Sequence, residues 1–114
     1  MATSLSIRLE PEVVRTLAFG SISGSYMGIG SAMSKPIRLF LLQNLTDAEL
    51  MFSFDGIDDH LPLPQNGFVL LDITANKTRE QGYYLSEGTR IYAKHTGTPP
   101  TTGSAYLTTF YGAE

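Results

Sequence analysis

The sequence predicts an all-β protein: an antiparallel β-sandwich, jelly-roll-like, with an extended Gly/Ser-rich N-terminal arm or loop. Three observations predict it. Apolar residues recur with period two along most of the chain, as on a strand with one buried face. Turn-forming clusters of Gly, Pro, Asn, Asp and Ser interrupt that pattern roughly every ten residues. No stretch carries a helical apolar stripe of useful length. With 114 residues the chain suits one domain with one core. It divides into residues 1–35, a strand plus a flexible arm, and residues 36–114, the sandwich core.

In chain order, Leu5, Ile7 and Leu9 alternate with Ser4, Ser6 and Arg8, the mark of a half-buried strand. Residues 10–17, EPEVVRTL, have a Pro and Glu where a helix would start. The stretch is short and Val-rich, so a turn with an adjoining extended segment is expected. Leu17 and Phe19 fall on one side of the next extended stretch. Residues 23–36 hold three glycines, four serines and a closing proline. Apart from Tyr26, Met27 and Ile29 they offer little to bury. A loop or arm that orders on a partner is expected there. In residues 36–45, Ile37, Leu39 and Leu41 occupy one face and Phe40 and Leu42 the other. A strand apolar on both faces lies in the middle of a sandwich or has a covered outer face. Residues 44–49 turn the chain. Leu50, Phe52 and Phe54 then point inward, with Glu49, Met51, Ser53 and Asp55 outward. Residues 67–74, 89–94 and 104–112 are further strands. Pro62 and Pro64 belong on an edge or in a connection, because neither donates a ladder hydrogen bond.

Charged residues are 17% of the chain and net charge is −3. The charged fraction is below the usual quarter, which points to a partly covered surface. The balance lacks the basic footprint that nucleic-acid binding requires. With no cysteine, disulfides, thiolate metal sites and thiol catalysis are excluded. The N-terminus has no signal-peptide pattern and no segment has the apolar length of a membrane-spanning helix. Synthesis in a cytoplasm and no membrane partner are expected. The sequons at Asn44 and Asn76 are expected to be turn asparagines without glycans.

The densest group of potentially reactive residues is Asp55-Gly56-Ile57-Asp58-Asp59-His60. An EF-hand needs regularly spaced oxygen ligands and a Glu at position twelve, and this spacing fails. A zinc site wants several His or Cys, and only His60 and His95 exist. Asp accepting backbone amides beside a Gly with positive φ accounts for the stretch as a turn. A metal site remains the alternative. No Gly-x-Ser-x-Gly elbow is present. A glycosidase pair would need two of Asp55, Asp58, Asp59, Asp72 and Glu87 across a cleft, and compact β-structure of this size rarely leaves one. The glycines of residues 20–30 lack the Gly-Lys-Ser/Thr and following helix of a phosphate loop. No enzyme activity, cofactor or metal is expected. An enzyme would require His60 and His95 to converge near the acids. Six Tyr and six Phe suit cross-strand pairs or an interface. The residues expected at a partner interface are Tyr26, Met27, Ile29, Phe40, Leu42, Tyr83, Tyr84, Tyr92, Tyr106 and Tyr111.

Residues 36–112 carry a familiar set of turn and strand signatures. They include Asn44-Leu45-Thr46-Asp47, Ser53-Phe54-Asp55-Gly56, Asp72 through Asn76-Lys77, and the Gly103–Gly112 ending. Together they resemble a group of small tailed-bacteriophage virion structural proteins, over about two thirds of the chain. The resemblance implies assembly into a particle, with the major capsid protein or other virion proteins as partners and a homo-oligomer as the working form. It supplies no catalytic residue. A capsid decoration (cement) protein is the first expectation. A neck or head–tail adaptor or tail-fibre component is the second, and a carbohydrate-binding module with exposed tyrosines is a more remote one.

Overall fold

A computed structural model describes residues 8–72 and 85–113 of the chain. Among them there are nine strands and no α-helix, and every strand pairing is antiparallel. The larger sheet runs β1 (Arg8–Pro11), β9 (Ser104–Ala113), β4 (Ile37–Asn44), β7 (Phe68–Asp72), with β2 (Arg15–Ala18) also paired to β9. The smaller sheet runs β3 (Met27–Gly28), β8 (Tyr92–His95), β5 (Leu50–Ser53), β6 (Leu61–Leu63). Both sheets feed one core. Leu17, Phe40, Leu42 and Leu107 come from the larger sheet, and Leu50, Phe52, Leu63 and Ala93 from the smaller. Burying a side chain of that size contributes about 2 kcal/mol, so the shared core is what holds the sheets together.

The order of pairing is nested. β1 pairs with β9, β3 with β8, β4 with β7, and β5 with β6. The first strand meets the last, and each later strand meets one progressively nearer in sequence. The additional pairs β4–β9 and β5–β8 join these hairpin-like couples side by side.

Strand β4 departs from simple alternation. Ile37 pairs with Tyr111 but Leu39 pairs with Phe110, which leaves Arg38 as the extra residue of a bulge. The bulge shifts the side chains by one position. Ile37 therefore faces the core with Phe40 and Leu42, and not outward with Leu39 and Leu41 as alternation predicts. It also draws Arg38 inside to 6% exposure. Strand β2 ends at Ala18, and Phe19 opens a three-residue 3-10 turn with its ring 40% exposed, so it does not share the buried side of Leu17. Ser53, expected outward, is fully buried beneath the loop that follows it.

The Gly/Ser-rich stretch of residues 23–36 packs against the body of the protein. Ile29 and Met33 are buried in the core at 0% and 2% exposure. Their amides donate to the carbonyls of Ile91 and Thr89, and the His95 amide donates to the Ser23 carbonyl. Glycine permits this close contact. Gly30 has φ +62, and a Cβ there would lie 2.8 Å from the Arg15 side chain. What looked from composition like a stretch with little to bury hides two anchors, one of which, Met33, escaped the sequence reading. Pro62, expected on an edge or in a connection, lies in the edge strand β6 opposite Met51. Gly67 then donates to the Pro64 carbonyl in a turn with Asn66 at φ 63. The expected strand over Leu5 and Ile7 and the second sequon at Asn76 lie outside the described residues.

Candidate functional site

The acidic loop between β5 and β6 is closed by its own hydrogen bonds. Asp55 Oδ1 accepts from Ser53 Oγ at 2.8 Å and from the amides of Ile57 and Asp58 at 2.8 and 2.9 Å. These donors hold the Asp55 carboxyl down at about 2, the Asp58 and Ile57 amides first and Ser53 next. Ser53 Oγ accepts from the amides of Asp55 and Gly56. Gly56 has φ +78 and lies against the Tyr92 ring, where a Cβ would come within 3.3 Å. The Phe54 amide donates to His60 Nδ1 at 3.0 Å, and the His60 amide donates to the Phe52 carbonyl. This is the turn chemistry predicted for Asp and Gly.

The same loop gathers one ligand-type atom each from Asp55, Asp58 and His60 within 4.8 Å of one another, all on exposed residues. Two of the three residues are already engaged. Asp55 Oδ1 has three donors. His60 Nδ1 accepts the Phe54 amide, which places the ring hydrogen on Nε2. Metal ligation through this ring would therefore break the bond that shapes the turn. Asp59 pairs within the chain. The Tyr26 hydroxyl donates to Asp59 Oδ1, and Lys94 Nζ lies 3.3 Å from the same oxygen and 4.6 Å from the centre of the Tyr26 ring. Tyr26 is the first cause of a lowered Asp59 carboxyl. Burial first, and the Asp59 hydrogen bond second, raise the Tyr26 phenol. The trio fastens the Gly/Ser stretch to the smaller sheet. His95 lies opposite Leu50 at one end of β5, whereas His60 is bonded to Phe52 and Phe54 at the other. Four residues of strand separate the two ends by about 13 Å. The acids thus have only one histidine beside them.

The residues expected at an interface divide into three groups. Ile29, Phe40 and Leu42 are 0–2% exposed core residues. Alternation and the Arg38 bulge turn them inward, so one copy of the chain presents none of them outside. Tyr111 is half-buried on the inner side, packed against the core, with Lys35 Nζ 5.5 Å from its ring centre. Tyr26 and Tyr92 are half-buried on the smaller sheet, Met27 is 46% exposed there, and Tyr106 is half-buried on the outer face of the larger sheet. Tyr83 and Tyr84 lie outside the described residues.

That outer face is the most unusual surface of the protein. Paired residues share a face, so the register of β4 with β9 and β7 identifies its members. Leu39, Leu41 and Gln43 come from β4, Phe68 and Leu70 from β7, and Tyr106, Thr108 and Phe110 from β9. Pro11, Thr16 and Ala18 continue it along β1 and β2. Phe68 is 66% and Leu70 56% exposed. Among these register positions only Asp72, at the end of β7, is charged. Solvated sheet faces ordinarily alternate polar residues outward. Depletion of charge with enrichment of aromatics marks the centre of an interface. The sequence held one pointer to this face, the apolar character of both sides of residues 36–45. The run FVLL at residues 68–71 was a second, but the sequence reading did not single out Phe68 and Leu70.

No protein-family model, curated protein or solved structure matches the chain.

Proposed function

We propose that this protein is a non-enzymatic structural subunit of a tailed-bacteriophage virion, a capsid decoration (cement) protein folded as a jelly-roll sandwich. The observation that carries the reading is the outer face of the larger sheet, with Phe68 and Leu70 more than half exposed and, among the described residues of its register, no charge except Asp72 at its edge. Such a face is stable in water only at a cost. Covering it contributes on the order of 25 cal/mol per Å² before association costs are counted.

Two further observations support the reading. With the β1–β2 strip counted as one, eight strands pair first with last, second with seventh, third with sixth and fourth with fifth, and then lie in two sheets. This nested order supports the jelly-roll reading, an architecture used by viral capsid domains and also by lectins. The turn signatures of residues 36–112 add their resemblance to small virion proteins. Fold alone does not select between these uses. The breadth of the apolar surface, with Leu39, Leu41, Phe68, Leu70 and Phe110 on one face, favours assembly over a sugar site.

In this function the subunit is made in the host cytoplasm, joins the major capsid protein on the virion, and strengthens the shell through many repeated contacts. Repetition turns modest single contacts into avidity. The test is to mix the purified full chain with expanded, empty shells and count bound copies by quantitative gel. On the order of hundreds of copies, the stoichiometry of an icosahedral surface, with increased heat resistance of the shells, is the expected result. About a dozen copies, as cyclic symmetry dictates, would move the protein to the neck or tail. No binding would remove the cement reading.

A further inference from the structure

We propose that the uncharged outer face of the larger sheet is a self-association surface, on which two copies of this chain stack as a two-fold dimer. The inference rests on the structural-subunit reading in one respect, that the face is covered when the protein works. It goes further in naming what covers it.

Size is the first argument. Four strands side by side at about 4.8 Å, and eight residues of β4 at about 3.3 Å each, make a surface of roughly 19 by 26 Å. Two such faces remove about 1,000 Å² in total, the lower bound for a specific interface. A helix or single strand of another protein would leave much of that width exposed.

Charge is the second argument. Among the described residues, a partner recognised by charge, whether nucleic acid, basic peptide or anionic surface, finds only Asp72 at the margin. A face without sign is compatible with its own copy, since apolar contact needs no opposite charge. The net charge of −3 is small enough that repulsion between two copies is weak at physiological salt.

Shape is the third. Leu39 and Leu41 in the centre of the face are half-buried by their neighbours, whereas Phe68 and Leu70 at the β7 margin stand out. The opposite margin carries the compact, exposed and uncharged Pro11, Thr16 and Ala18, with Leu9, 46% exposed, at its β1 end. A two-fold axis running along the strands lays β7 of each copy over the β1–β2 margin of the other. Phe68 and Leu70 then lie over a margin that is mostly compact and uncharged throughout, in an isologous contact. Sheets stacked in this way pack about 10 Å apart with interdigitated side chains.

The experiment is light scattering on the full chain, eluted from a sizing column at low and at high micromolar loading, for three proteins. Wild type is expected to reach the mass of two copies. Leu70→Lys, with Phe68→Asp in reserve if the first fails to fold, is expected to give one copy with an unchanged β circular-dichroism spectrum. Ile57→Lys, on a residue 79% exposed in the acidic loop, is expected to stay at two copies. A wild-type chain that remains single at high loading overturns the proposal, as does a larger ring or a dimer that Leu70→Lys leaves intact. Shell binding, measured on the same samples, separates this inference from the function. A monomer that decorates shells refutes the dimer and keeps the cement reading. A dimer that ignores shells does the reverse.

Discussion

Replacing Asn44 by Ala should cost about 3 kcal/mol of stability, far more than a strand-end asparagine ordinarily carries. The residue ends β4 with no exposed surface. Its Nδ2 donates to the carbonyls of Ala48, Leu63 and Pro64 at 2.9, 3.0 and 3.1 Å. Its Oδ1 accepts from the Thr46 amide at 3.1 Å and from Thr46 Oγ1 at 2.6 Å. One side chain thus ties the end of a strand in the larger sheet to the β4–β5 turn and to the end of β6 in the smaller. Two amide hydrogens serve three carbonyls, so about four bonds are lost, each worth about 1 kcal/mol net. The single Thr46 Oγ1 hydrogen turns to the Ala48 carbonyl, 3.0 Å away, and the less buried Pro64 carbonyl regains water, which brings the sum to about 3. The assay is urea unfolding followed by circular dichroism. With a slope of about 1.5 kcal/mol per M, the midpoint falls by about 2 M. Asn44→Asp is the sharper variant. It keeps the acceptor but aims a negative charge at three carbonyl oxygens, and should cost at least as much at neutral pH. A loss below about 1 kcal/mol for Ala, or wild-type stability for Asp, would refute the donor role assigned to Nδ2.

Five other outcomes are expected. Glu12 and Arg15 form an ion pair at 2.9 Å with both side chains 7% exposed, and Thr109 and Ser34 also donate to Glu12. Glu12→Ala leaves the Arg15 guanidinium buried without its counter-charge and should cost about 3 kcal/mol in the same unfolding assay. Burial raises the Glu12 carboxyl, but hydrogen bonds from Ser34, Thr109 and Arg15 outweigh it and leave it below its ordinary 4.5. A lowered folded value gives stability that is present above about pH 4.5 and lost as pH falls further. Glu12→Gln should therefore flatten the acid limb of the stability–pH curve. Asp55, ordinarily at 3.8 and held at about 2, should keep its loop closed until pH falls through that window, seen as faster amide exchange at Ile57 and Asp58 only below about pH 3. Gly103→Ala should abolish soluble expression, because φ is +87 and the new Cβ would lie 2.0 Å from the Leu45 carbonyl oxygen. Zinc or calcium should leave the melting temperature unchanged, since ligation by the His60 ring would give up its bond from the Phe54 amide and leave only exposed carboxylates. A saturable rise would sink the turn-only account of the loop.

Much of the strand content was legible in residues 36–113, because alternation and turn residues are local signals. Residues 50–52 and 104–110 show one buried side chain in two, and FDG followed by IDDH has the composition of a hydrogen-bonded turn. Other features are decided at long range. Arg38 becomes a bulge only because Tyr111 and Phe110 take Ile37 and Leu39 as partners, and that one inserted residue moves Ile37 into the core. The Gly/Ser stretch is packed because Ile91 and Thr89, some sixty residues away, accept its amides. Asn44 is a turn residue by composition and a buried link between sheets by position. Alternation implied that both faces of residues 36–45 were apolar, yet which of them met the core and which met water depended on the register with β7 and β9. Period and turn chemistry act between neighbours in the chain, so the sequence by itself determined that this protein is built of antiparallel strands. Register, bulge and burial are settled by contacts between distant residues, so only the tertiary structure decided which face is left uncovered.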